Sequence, residues 1–479
     1  MKVLLITSAP NLTTGYGRMG KAVAEYLSEK LGRENFEYVA LTPNEYTQSF
    51  MDIQKYKIIP TRKELSDVDG RFTAAERITH FKPTIILTLG DLWQFDWIPT
   101  LSTRHTFKWT AWLPIDGAPI PSRWLSILDK IDMILSTSEW GKWVICSRER
   151  TYLKKTFVLR HGVDNKIFKP VSNKEEKIEA KLSLGFKPES YIIGCIARNQ
   201  LRKNLPVLIG AFRKYLQPYI VCNNQECAIT FGAGDECHIC KNGKGKIFYK
   251  PPKFEHSLYL HTEAESDYGW DLNSMAKEMG ISESVKIPTN IGPGIGCDDS
   301  KLAQIYRAMD VFALPTMGEG FGLPILEAMA CGVPVIATDY SGHLDYAYGV
   351  SILLPIIARF REQITGMSRA IVDEDHLFQA LDFLYYDKLN DAQEKHTKRL
   401  DWIERQLQAL DANYSKDKDN RFGFSSLCGE NLRNHMIQRA FIISNVLTIK
   451  NMNKNLFELL YFINESSGSV SSNTGVVLD

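Results

Sequence analysis

Residues 311–328 read VFALPTMGEGFGLPILEA, and this stretch decides the fold. Val311–Leu314 is an apolar run of strand length, and three glycines follow before Pro324, a residue suited to a first helical turn. Glycines let a backbone approach a ligand closely, and the free N–H groups of a helix N-terminus favour an anion such as a diphosphate. The stretch therefore predicts a strand, an anion-binding loop and a helix. Glu319 lies in the loop and Glu327 about one turn into the helix, so both can face the same ligand.

Strand-like and helix-like segments alternate along most of the chain. Apolar runs with β character in the first half lie at 3–6, 38–41, 84–89, 107–113, 133–136 and 156–160. A second series lies at 191–197, 228–231 or 257–261, 285–287, 311–314, 333–337 and 352–354. Strands that alternate with helices predict parallel sheets covered on both faces. We therefore expect an α/β fold with two Rossmann-like parallel-sheet domains facing each other across a cleft, and ligands beyond the carboxyl ends of the strands.

Breaks in this alternation predict the domain boundaries. We expect a first domain over 1–168 and, after a charged run at 174–181, a second domain over 182–385. Apolar residues at helical spacing lie at 376–386, 392–408 and 432–449. Residues 386–465 are thus predicted to be C-terminal helices that partly pack back on the first domain. The Ser-, Gly- and Val-rich residues 466–479 are predicted to be a flexible tail.

The composition limits the partners and the compartment. The chain has 479 residues and a formal net charge of +1, so overall charge gives no argument for nucleic acid as a partner. No apolar run reaches the roughly 18 residues that span a bilayer, and residues 1–6 are too short for a signal peptide. We expect a cytoplasmic protein with its nine cysteines reduced. A small excess of Lys and Arg in residues 1–165 leaves peripheral membrane contact open, although a solvated surface is the simpler explanation.

Two cations follow the first strand of the second series. Arg198 and Lys203 lie five residues apart, beyond the run at 191–197. Two cations at a strand end can neutralise a diphosphate leaving group. The alternative is that they are surface charges at a strand–helix turn. Both strand-end loops independently offer what a nucleotide diphosphate needs, which favours the binding site.

A glycine-containing loop also follows the first strand of the chain. Residues 15–20, GYGRMG, satisfy the bare G-x-G-x-x-G pattern of dinucleotide sites, but no acidic partner is clear downstream. The loop can accept an anion at a helix start. We favour a role for Gly15 and Gly17 near donor phosphates and acceptor over a dinucleotide site, because the second domain carries the better nucleotide site.

Asp116 follows another predicted strand, in the sequence LPIDG at 113–117. We expect it to contact a donor sugar or an acceptor as a candidate catalytic residue. A turn-capping aspartate is the alternative.

Several segments together resemble family 4 of the retaining glycosyltransferases, also called glycosyl transferases group 1, which have the GT-B fold. Glu319 and Glu327 are similar to that family's pair of glutamates separated by seven residues. Other matching segments are 194–198 with 203–204 and 208–212 (donor phosphate), 330–338 (the helix and strand after the glutamates), and 161–164 with Phe168 and Pro170 (domain junction). The resemblance covers roughly residues 1–385. A histidine that many relatives have near Asp116 is not found there, which leaves the role of Asp116 open.

The resemblance implies a retaining transferase that moves a hexose from a nucleotide-diphosphate sugar, a UDP or GDP sugar, to a hydroxyl of a glycan or lipid-linked glycan. The first domain would be the acceptor side and the second the donor side, with no metal or other cofactor needed for catalysis. Arg198 and Lys203 would bind the donor diphosphate, and Glu327 the ribose. Glu319 would contact the donor sugar as a catalytic residue. Backbone amides would help at Gly320, Phe321, Gly322 and Leu323.

A cysteine cluster is not explained by the resemblance. Cys222, Cys227, Cys237 and Cys240 lie in an apparent insertion at about 218–256. In a reducing compartment four cysteines at such spacing favour a structural zinc site. Unligated thiols, or a disulfide hairpin in an oxidising compartment, are the alternatives.

Three other functions stay open beside glycosyl transfer to glycans. The first is a transferase acting on DNA or protein, which near-neutral charge disfavours for DNA. The second is a non-catalytic nucleotide-sugar-binding protein, which predicts loss of the phosphate cations or Glu319, and both are present. The third is an epimerase or phosphorylase with two similar domains, for which no additional phosphate or cofactor site is identifiable.

Overall fold

The structure is a computed structural model that describes residues 1–41, 56–62, 66–217, 255–292, 296–363, 365–388 and 432–466. Backbone alone is described at 219–222, 230–231, 245–248, 386–388 and 432–435.

The first sheet consists of seven parallel strands. In chain order they are β1 Val3–Ser8, β2 Phe36–Leu41, β3 Lys57–Pro60, β4 Ile85–Leu89, β5 Lys108–Leu113, β6 Met133–Ser136 and β7 Thr156–Val158. Their spatial order is β3-β2-β1-β4-β5-β6-β7. Central strands such as β1 are buried and almost wholly apolar because helices cover both faces of the sheet. The sequence pattern missed β3, a short edge strand with partly exposed residues.

Five helices accompany this sheet or link it to the next one. They are α1 Gly15–Leu31, α2 Arg71–Phe81, α3 Leu125–Lys130, α4 Glu139–Cys146 and α5 Lys174–Ser183. Thr14 begins α1 by accepting a hydrogen bond from the Gly17 N–H at 3.2 Å, and Ser138 caps α4 in the same way through Gly141.

The second sheet consists of six parallel strands. They are β8 Tyr191–Ile196, β12 His256–His261, β13 Val285–Lys286, β14 Val311–Leu314, β15 Val335–Thr338 and β16 Ile352–Leu354. Their spatial order is β13-β12-β8-β14-β15-β16. The associated helices are α6 Leu205–Leu216, α7 Leu272–Glu278, α8 Asp299–Ala308, α9 Leu323–Ala330, α10 Leu344–Ala347 and α11 Glu374–Lys388. Of the two alternatives predicted for the second strand of this series, 257–261 is the one in the sheet.

Two additions interrupt this second domain. An antiparallel sheet, order β10-β9-β11, lies between α6 and β12 and consists of β9 Tyr219–Cys222, β10 Thr230–Phe231 and β11 Gly245–Phe248. An antiparallel hairpin follows β16 and consists of β17 Ile356–Arg361 and β18 Ser368–Val372. The sequence pattern did not predict the hairpin.

Two C-terminal helices connect the domains. They are α12 Leu432–Val446, which packs against α9, and α13 Ile449–Glu465, which packs against α1. Asn453 donates a hydrogen bond to the Ala22 carbonyl at 3.1 Å, and Phe457 meets Tyr26 edge to face. The helix predicted at 392–408 and the tail from 467 onward lie outside the described residues.

The predicted pair of parallel-sheet domains facing each other across a cleft is confirmed. Loops at the carboxyl ends of both sheets meet there, and the Thr137 hydroxyl of the first domain donates to the Gly320 carbonyl of the second at 2.8 Å. None of the helices that the structure describes is both long and apolar enough to span a bilayer.

Candidate functional site

The glycine loop, residues 316–322, connects β14 to α9 and lies directly against the first domain. A Cβ on Gly318 would come within 2.1 Å of the Asp116 carbonyl oxygen, and one on Gly320 within 2.4 Å of Pro114 Cβ. Gly322 begins α9 with φ of 87°, a conformation that favours glycine. Within the described part of the chain, no hydrogen bond is donated by the N–H groups of Gly320, Phe321, Gly322 or Leu323. These amides at a helix start are therefore available to an anion.

Glu319 is a buried carboxylate held between two cations. Its Oε1 lies 2.5 Å from Lys203 Nζ and 3.5 Å from Arg202 Nη1. Burial alone would raise the pKa of Glu319, but Lys203 and Arg202 outweigh it and lower the pKa to about 2. Glu319 is therefore ionised at neutral pH.

Lys203 lies beside Glu319, and it is accompanied there by Arg202. Burial, and next the charge of Arg202, lower the pKa of the Lys203 ammonium. The lowered pKa of Lys203 and the lowered pKa of Glu319 share one cause, because Arg202 repels the ammonium and attracts the carboxylate. The 2.5 Å distance between Lys203 Nζ and Glu319 Oε1 is that of an ion pair.

Arg202 is a residue that the sequence interpretation missed. Its guanidinium donates to the Gly318 carbonyl at 3.0 Å and lies 3.9 Å from Asp116 Oδ2. A 3-10 turn at Leu201–Lys203 carries both cations away from the strand end. Arg198 lies two residues beyond the end of β8 and is exposed, so its predicted contact with the diphosphate stays a prediction. The sequence feature that could have identified Arg202 is its position next to Lys203 in the chain.

Glu327 lies on α9 and contacts the first domain. Its Oε1 lies 2.6 Å from Arg18 Nη1, and its Oε2 accepts a hydrogen bond from the Tyr306 hydroxyl at 2.9 Å. The other side of the Arg18 guanidinium lies 2.8 Å from Asp299. Burial raises the pKa of Glu327, and Arg18 offsets this only in part. Both predicted glutamates are buried, but two cations lower the pKa of Glu319 whereas burial raises the pKa of Glu327.

The glycine-containing loop of the first domain reaches the same place. A Cβ on Gly15 would lie 3.3 Å from Leu323 Cδ1, at the start of α9. A Cβ on Gly17 would lie 2.3 Å from the Leu12 carbonyl oxygen, so the tight turn requires glycine. The helix that this loop begins also carries Arg18, the partner of Glu327. Sequence reasoning identified the two glycines but not the arginine between the domains.

Asp116 lies on the opposite wall of the cleft. Its Oδ1 lies 2.9 Å from Arg369 Nη1, which also donates to the Asp116 carbonyl at 2.9 Å. The Asp116 side chain is 20% exposed, and its second oxygen, Oδ2, lies 3.9 Å from Arg202 Nε. Arg369 comes from β18, the hairpin that was not predicted.

Asp91 is a second carboxylate near Asp116, and it too was missed. It follows β4, and its Oδ1 accepts a hydrogen bond from the Tyr16 hydroxyl at 3.2 Å. Burial, and next repulsion from Asp116, raise the pKa of Asp91 to about 6. Its position directly beyond a strand end was a sequence signal that could have identified it.

The cleft thus combines features that suit an anionic, hydroxyl-rich ligand. Arg202 and Lys203 lie next to the free amides of the glycine loop, which together can neutralise a diphosphate. Glu319 and Glu327 can accept hydrogen bonds from hydroxyl groups, as can Asp116 from the other wall.

The predicted zinc ligands are not covered. Cys227, Cys237 and Cys240 lie outside the described residues, and only the backbone of Cys222 is described, at the end of β9. In the parts of the chain that the structure covers, no three or more His, Cys, Asp and Glu side chains are grouped as a metal site.

Comparison with known families connects this cleft with glycosyltransferases. A family model described as glycosyl transferases group 1 matches residues 265–367. The matched segment contains the glycine loop, Glu319 and Glu327.

Curated relatives of the chain are also named as glycosyltransferases. The chain is 27% identical over 257 residues to D-inositol 3-phosphate glycosyltransferase of Corynebacterium jeikeium, and the aligned residues cover 53% of each chain. It is 26% identical over 226 residues to the lipopolysaccharide core biosynthesis mannosyltransferase LpsB of Rhizobium meliloti, covering 47% of this chain and 50% of the relative. The chain therefore spans about half the length of the curated relatives it matches.

Solved structures match over nearly the whole chain. A glycosyltransferase from Rickettsia africae superimposes with a TM-score of 0.62 at 13% identity, covering 97% of this chain and 99% of the other. HepE of Anabaena, in complex with UDP and glucose, superimposes with a TM-score of 0.61 at 13% identity, covering 96% and 100%. At such identity the likeness concerns the fold alone. The chain has the GT-B fold, with its cations and carboxylates in the cleft between the two domains.

Proposed function

We propose that the protein is a retaining glycosyltransferase that moves a hexosyl group from a nucleotide-diphosphate sugar to an acceptor hydroxyl. The observation that carries the proposal is the meeting of Lys203, Arg202 and Glu319 with the free amides of the glycine loop. Cations and amides suit a diphosphate, and a carboxylate beside them that is ionised at neutral pH suits sugar hydroxyls. The match of residues 265–367 to glycosyl transferases group 1 supports the same activity.

The donor would lie across the second domain. Its diphosphate would contact Arg202, Lys203 and the amides of the glycine loop, with Arg198 at the outer edge. Glu319 would accept hydrogen bonds from the donor sugar, and Glu327 from the ribose. A UDP or GDP sugar fits this arrangement equally, because the contacts described involve phosphate, ribose and hexose rather than the base.

Transfer would depend on stabilising the departing diphosphate. Negative charge develops on the diphosphate as the bond to the sugar breaks, and the preorganised cations and amides lower the energy of that state. The acceptor hydroxyl would approach from the first domain, oriented by Asp116 and Asp91. The acceptor oxygen would bond to the sugar on the face from which the diphosphate leaves, and the hydroxyl proton would pass to the departing phosphate oxygen, so that the anomeric configuration is retained. The resemblance to family 4 implies that this chemistry needs no metal ion.

The acceptor would be a glycan or lipid-linked glycan, met in the cytoplasm or at the surface of a membrane. LpsB, one of the relatives, is named for lipopolysaccharide core biosynthesis, which supports an acceptor of this kind. A protein or DNA acceptor is the alternative, and the net charge of +1 disfavours DNA.

Structural zinc in the insertion is a separate proposal. Cys222 ends β9 and pairs across the ladder with Gly245, the first residue of β11, five residues after Cys240. Metal analysis of the purified protein should find about one zinc per chain. Less than about half an equivalent would contradict this proposal.

The main proposal is tested with a panel of UDP-, GDP- and ADP-sugars. We expect binding and slow hydrolysis of at least one donor, and a product whose anomeric configuration by NMR equals that of the donor. Glu327→Ala should abolish most of the turnover while the far-UV spectrum stays unchanged. Binding without turnover for any acceptor would favour a non-catalytic nucleotide-sugar-binding protein. Absence of binding to every donor would refute the proposal.

A further inference from the structure

The outer strand of the hairpin, β17, is an edge strand. It pairs with β18 on one side. On its other side, no strand or loop among the described residues forms a backbone hydrogen bond with it. A strand with an uncovered edge is a template on which a further chain can pair.

The unpaired backbone groups of this edge belong to Arg359 and Arg361. Along an antiparallel pair, successive residues alternate between bonding to the partner strand and pointing their N–H and C=O groups away from it. The Glu362 N–H donates to the Met367 carbonyl across the hairpin at 2.9 Å. Counting back along β17 from this bond, Phe360 points its backbone groups toward β18, and Arg359 and Arg361 point theirs outward.

The strand opposite confirms this alternation. Ser368 and Ala370 of β18 lie directly opposite Arg361 and Arg359. Both turn their N–H groups away from β17, since Ser368 donates to the Ala118 carbonyl at 2.8 Å and Ala370 to the Met317 carbonyl at 3.0 Å. The inner edge of the hairpin is therefore bonded to the rest of the protein, and the outer edge is open.

The open edge carries exposed side chains of two kinds. Ile357 is 54% exposed and Phe360 is 41% exposed. Arg359 and Arg361 are exposed as well, and they share the face opposite to that of Phe360 because side chains alternate along a strand. The Arg359 guanidinium lies over the Tyr340 ring at 5.3 Å, which orients it without neutralising it. Across the part of the chain that the structure describes, neither arginine has an ion pair with a carboxylate.

The acidic residue of the hairpin does not neutralise these arginines. Glu362 accepts a hydrogen bond from Arg369 at 2.8 Å and another from the Thr365 hydroxyl at 2.5 Å. The open edge therefore combines unpaired backbone groups, an exposed aromatic ring and two positive charges.

A second copy of this chain is one conceivable occupant of the edge, and charge argues against it. Antiparallel pairing of β17 with its own copy through Arg359 and Arg361 would set arginine opposite arginine. Like charges directly opposite each other in a sheet are destabilising. A strand with carboxylates at those two positions would instead form two cross-strand ion pairs.

We propose that β17 binds an extended segment of a partner protein by strand addition, and that this segment has the pattern acidic–apolar–acidic. Side chains two residues apart lie on one face of a strand, so the two carboxylates would lie opposite Arg359 and Arg361. The apolar residue between them would lie beside Phe360 on the other face. Backbone hydrogen bonds supply the affinity of such additions, and side chains at alternate positions supply the specificity. This inference does not depend on the proposed function.

The probe is a blocked peptide of alternating character, Thr-Glu-Val-Glu-Val-Glu-Thr, N-methylated at its valines. Glutamates opposite Arg359 and Arg361 direct their own N–H groups toward β17, whereas the valine N–H groups face away. Methylation of the valines therefore leaves the binding edge intact and prevents the peptide from pairing with itself. One control peptide is N-methylated at the glutamates instead, and a second has lysine in place of each glutamate.

Three proteins are compared with these peptides. They are wild type, the double variant Arg359→Glu with Arg361→Glu, and a control double variant, Arg213→Glu with Lys277→Glu. All four side chains are exposed, so the changes leave the core intact. The control makes the same change of net charge on α6 and α7 rather than on the hairpin.

We expect wild type and the control variant to bind the valine-methylated probe, and the hairpin variant to bind it at least about tenfold more weakly. The hairpin variant should bind the lysine peptide instead, a gain that a misfolded protein would not show. Amide hydrogen exchange at Arg359 and Arg361 of wild type should slow when the probe is bound.

Three results would overturn the inference. Equal binding of the two N-methylated glutamate peptides would reduce the contact to attraction between charges, without strand addition. Failure of wild type to bind the probe would leave the edge without the proposed partner. A dimer of wild type in sedimentation that the hairpin variant loses would assign the edge to a second copy of this chain.

Discussion

Arg18 Nη1 lies 2.6 Å from Glu327 Oε1, so a side chain of the first domain neutralises a buried carboxylate of the second. The arginine side chain is 17% exposed and the glutamate side chain 1%. An ion pair with so little water around it is strongly coupled, because removing one partner leaves the other charge buried and unpaired. The pair therefore connects the two domains at the place where we propose that the ribose binds.

We expect a double-mutant cycle over Arg18→Met and Glu327→Gln to give a coupling free energy on the order of 2 kcal/mol in urea unfolding. Each single variant should be much less stable than wild type. The loss of stability in the double variant should be smaller than the sum of the two single losses. The exposed pair of Arg62 and Glu76 provides a control, for which the same cycle should give less than about 1 kcal/mol. Additive effects at Arg18 and Glu327 would show that the domains do not depend on this contact.

Lys203→Met should weaken UDP binding by about tenfold or more, because it removes a charge that we place on the donor diphosphate. Lys181→Met is a matched control, since Lys181 is also a buried lysine and lies 3.0 Å from the buried Asp310 in the same domain. Both changes should lower the free energy of unfolding by about 3 kcal/mol. Calorimetry with UDP then separates them. An equal loss of UDP affinity in both variants would mean that Lys203 acts only through stability.

Asp91→Asn should change how stability depends on pH. The folded pKa of Asp91 is raised from an ordinary 3.8 to about 6, so its contribution to stability is fully present below pH 3.8 and is lost as pH rises through 6. The loss corresponds to about 3 kcal/mol at most. Asparagine does not titrate, so the variant should gain on wild type as pH rises from 3.8 to about 6 in urea unfolding, with no further change at higher pH. Parallel pH curves for the two proteins would contradict the raised pKa.

The pH dependence of activity should also depend on the ionisation of Asp91. If ionised Asp91 orients the acceptor hydroxyl, kcat/KM of wild type should fall below pH about 6. Asp91→Asn should lower kcat/KM at neutral pH and remove that acid limb, while KM for the donor stays unchanged. An acid limb that persists in the variant would assign it to another group.

Gly320→Ala should reduce kcat/KM at least about tenfold, because its Cβ would collide with Pro114 Cβ at 2.4 Å and hold the two domains apart. Gly280→Ala is the control. Gly280 has φ of 68° with nothing within 4 Å of its Cβ position, so that change costs about 1 kcal/mol of stability without a collision. A radius of gyration from X-ray scattering should increase for Gly320→Ala alone. Normal activity of Gly320→Ala would mean that the glycine loop shifts to accommodate the added methyl group without affecting catalysis.

The sequence was sufficient for both parallel sheets because their central strands are buried on both faces and therefore read as continuous apolar runs. It was insufficient for β3 and for the β17–β18 hairpin. β3 is a four-residue edge strand, and β17 has mostly exposed residues, so neither produces that pattern.

The donor half of the site was predictable for a similar reason. The glycine loop, Glu319, Glu327 and Lys203 lie in short segments whose spacing is visible along the chain. Arg18 could not be assigned to Glu327 in this way, since the two are separated by 309 positions and meet only because the two domains face each other in the folded chain. Arg369 and Asp116 meet for the same reason, 253 positions apart.

Within the described residues the chain passes between the two domains near Val163 and again near Leu447, and these two crossings are hydrogen-bonded to each other. The Val163 N–H donates to the Leu447 carbonyl at 2.9 Å, and the Ile449 N–H donates to the Val163 carbonyl at 3.1 Å. Two connections that lie side by side act mechanically as one hinge. We therefore expect the cleft to open for substrate entry and product release by rotation of the domains about this line, rather than by the domains sliding past each other. A protease cut in either crossing alone should leave the two halves attached, because the other crossing still joins them.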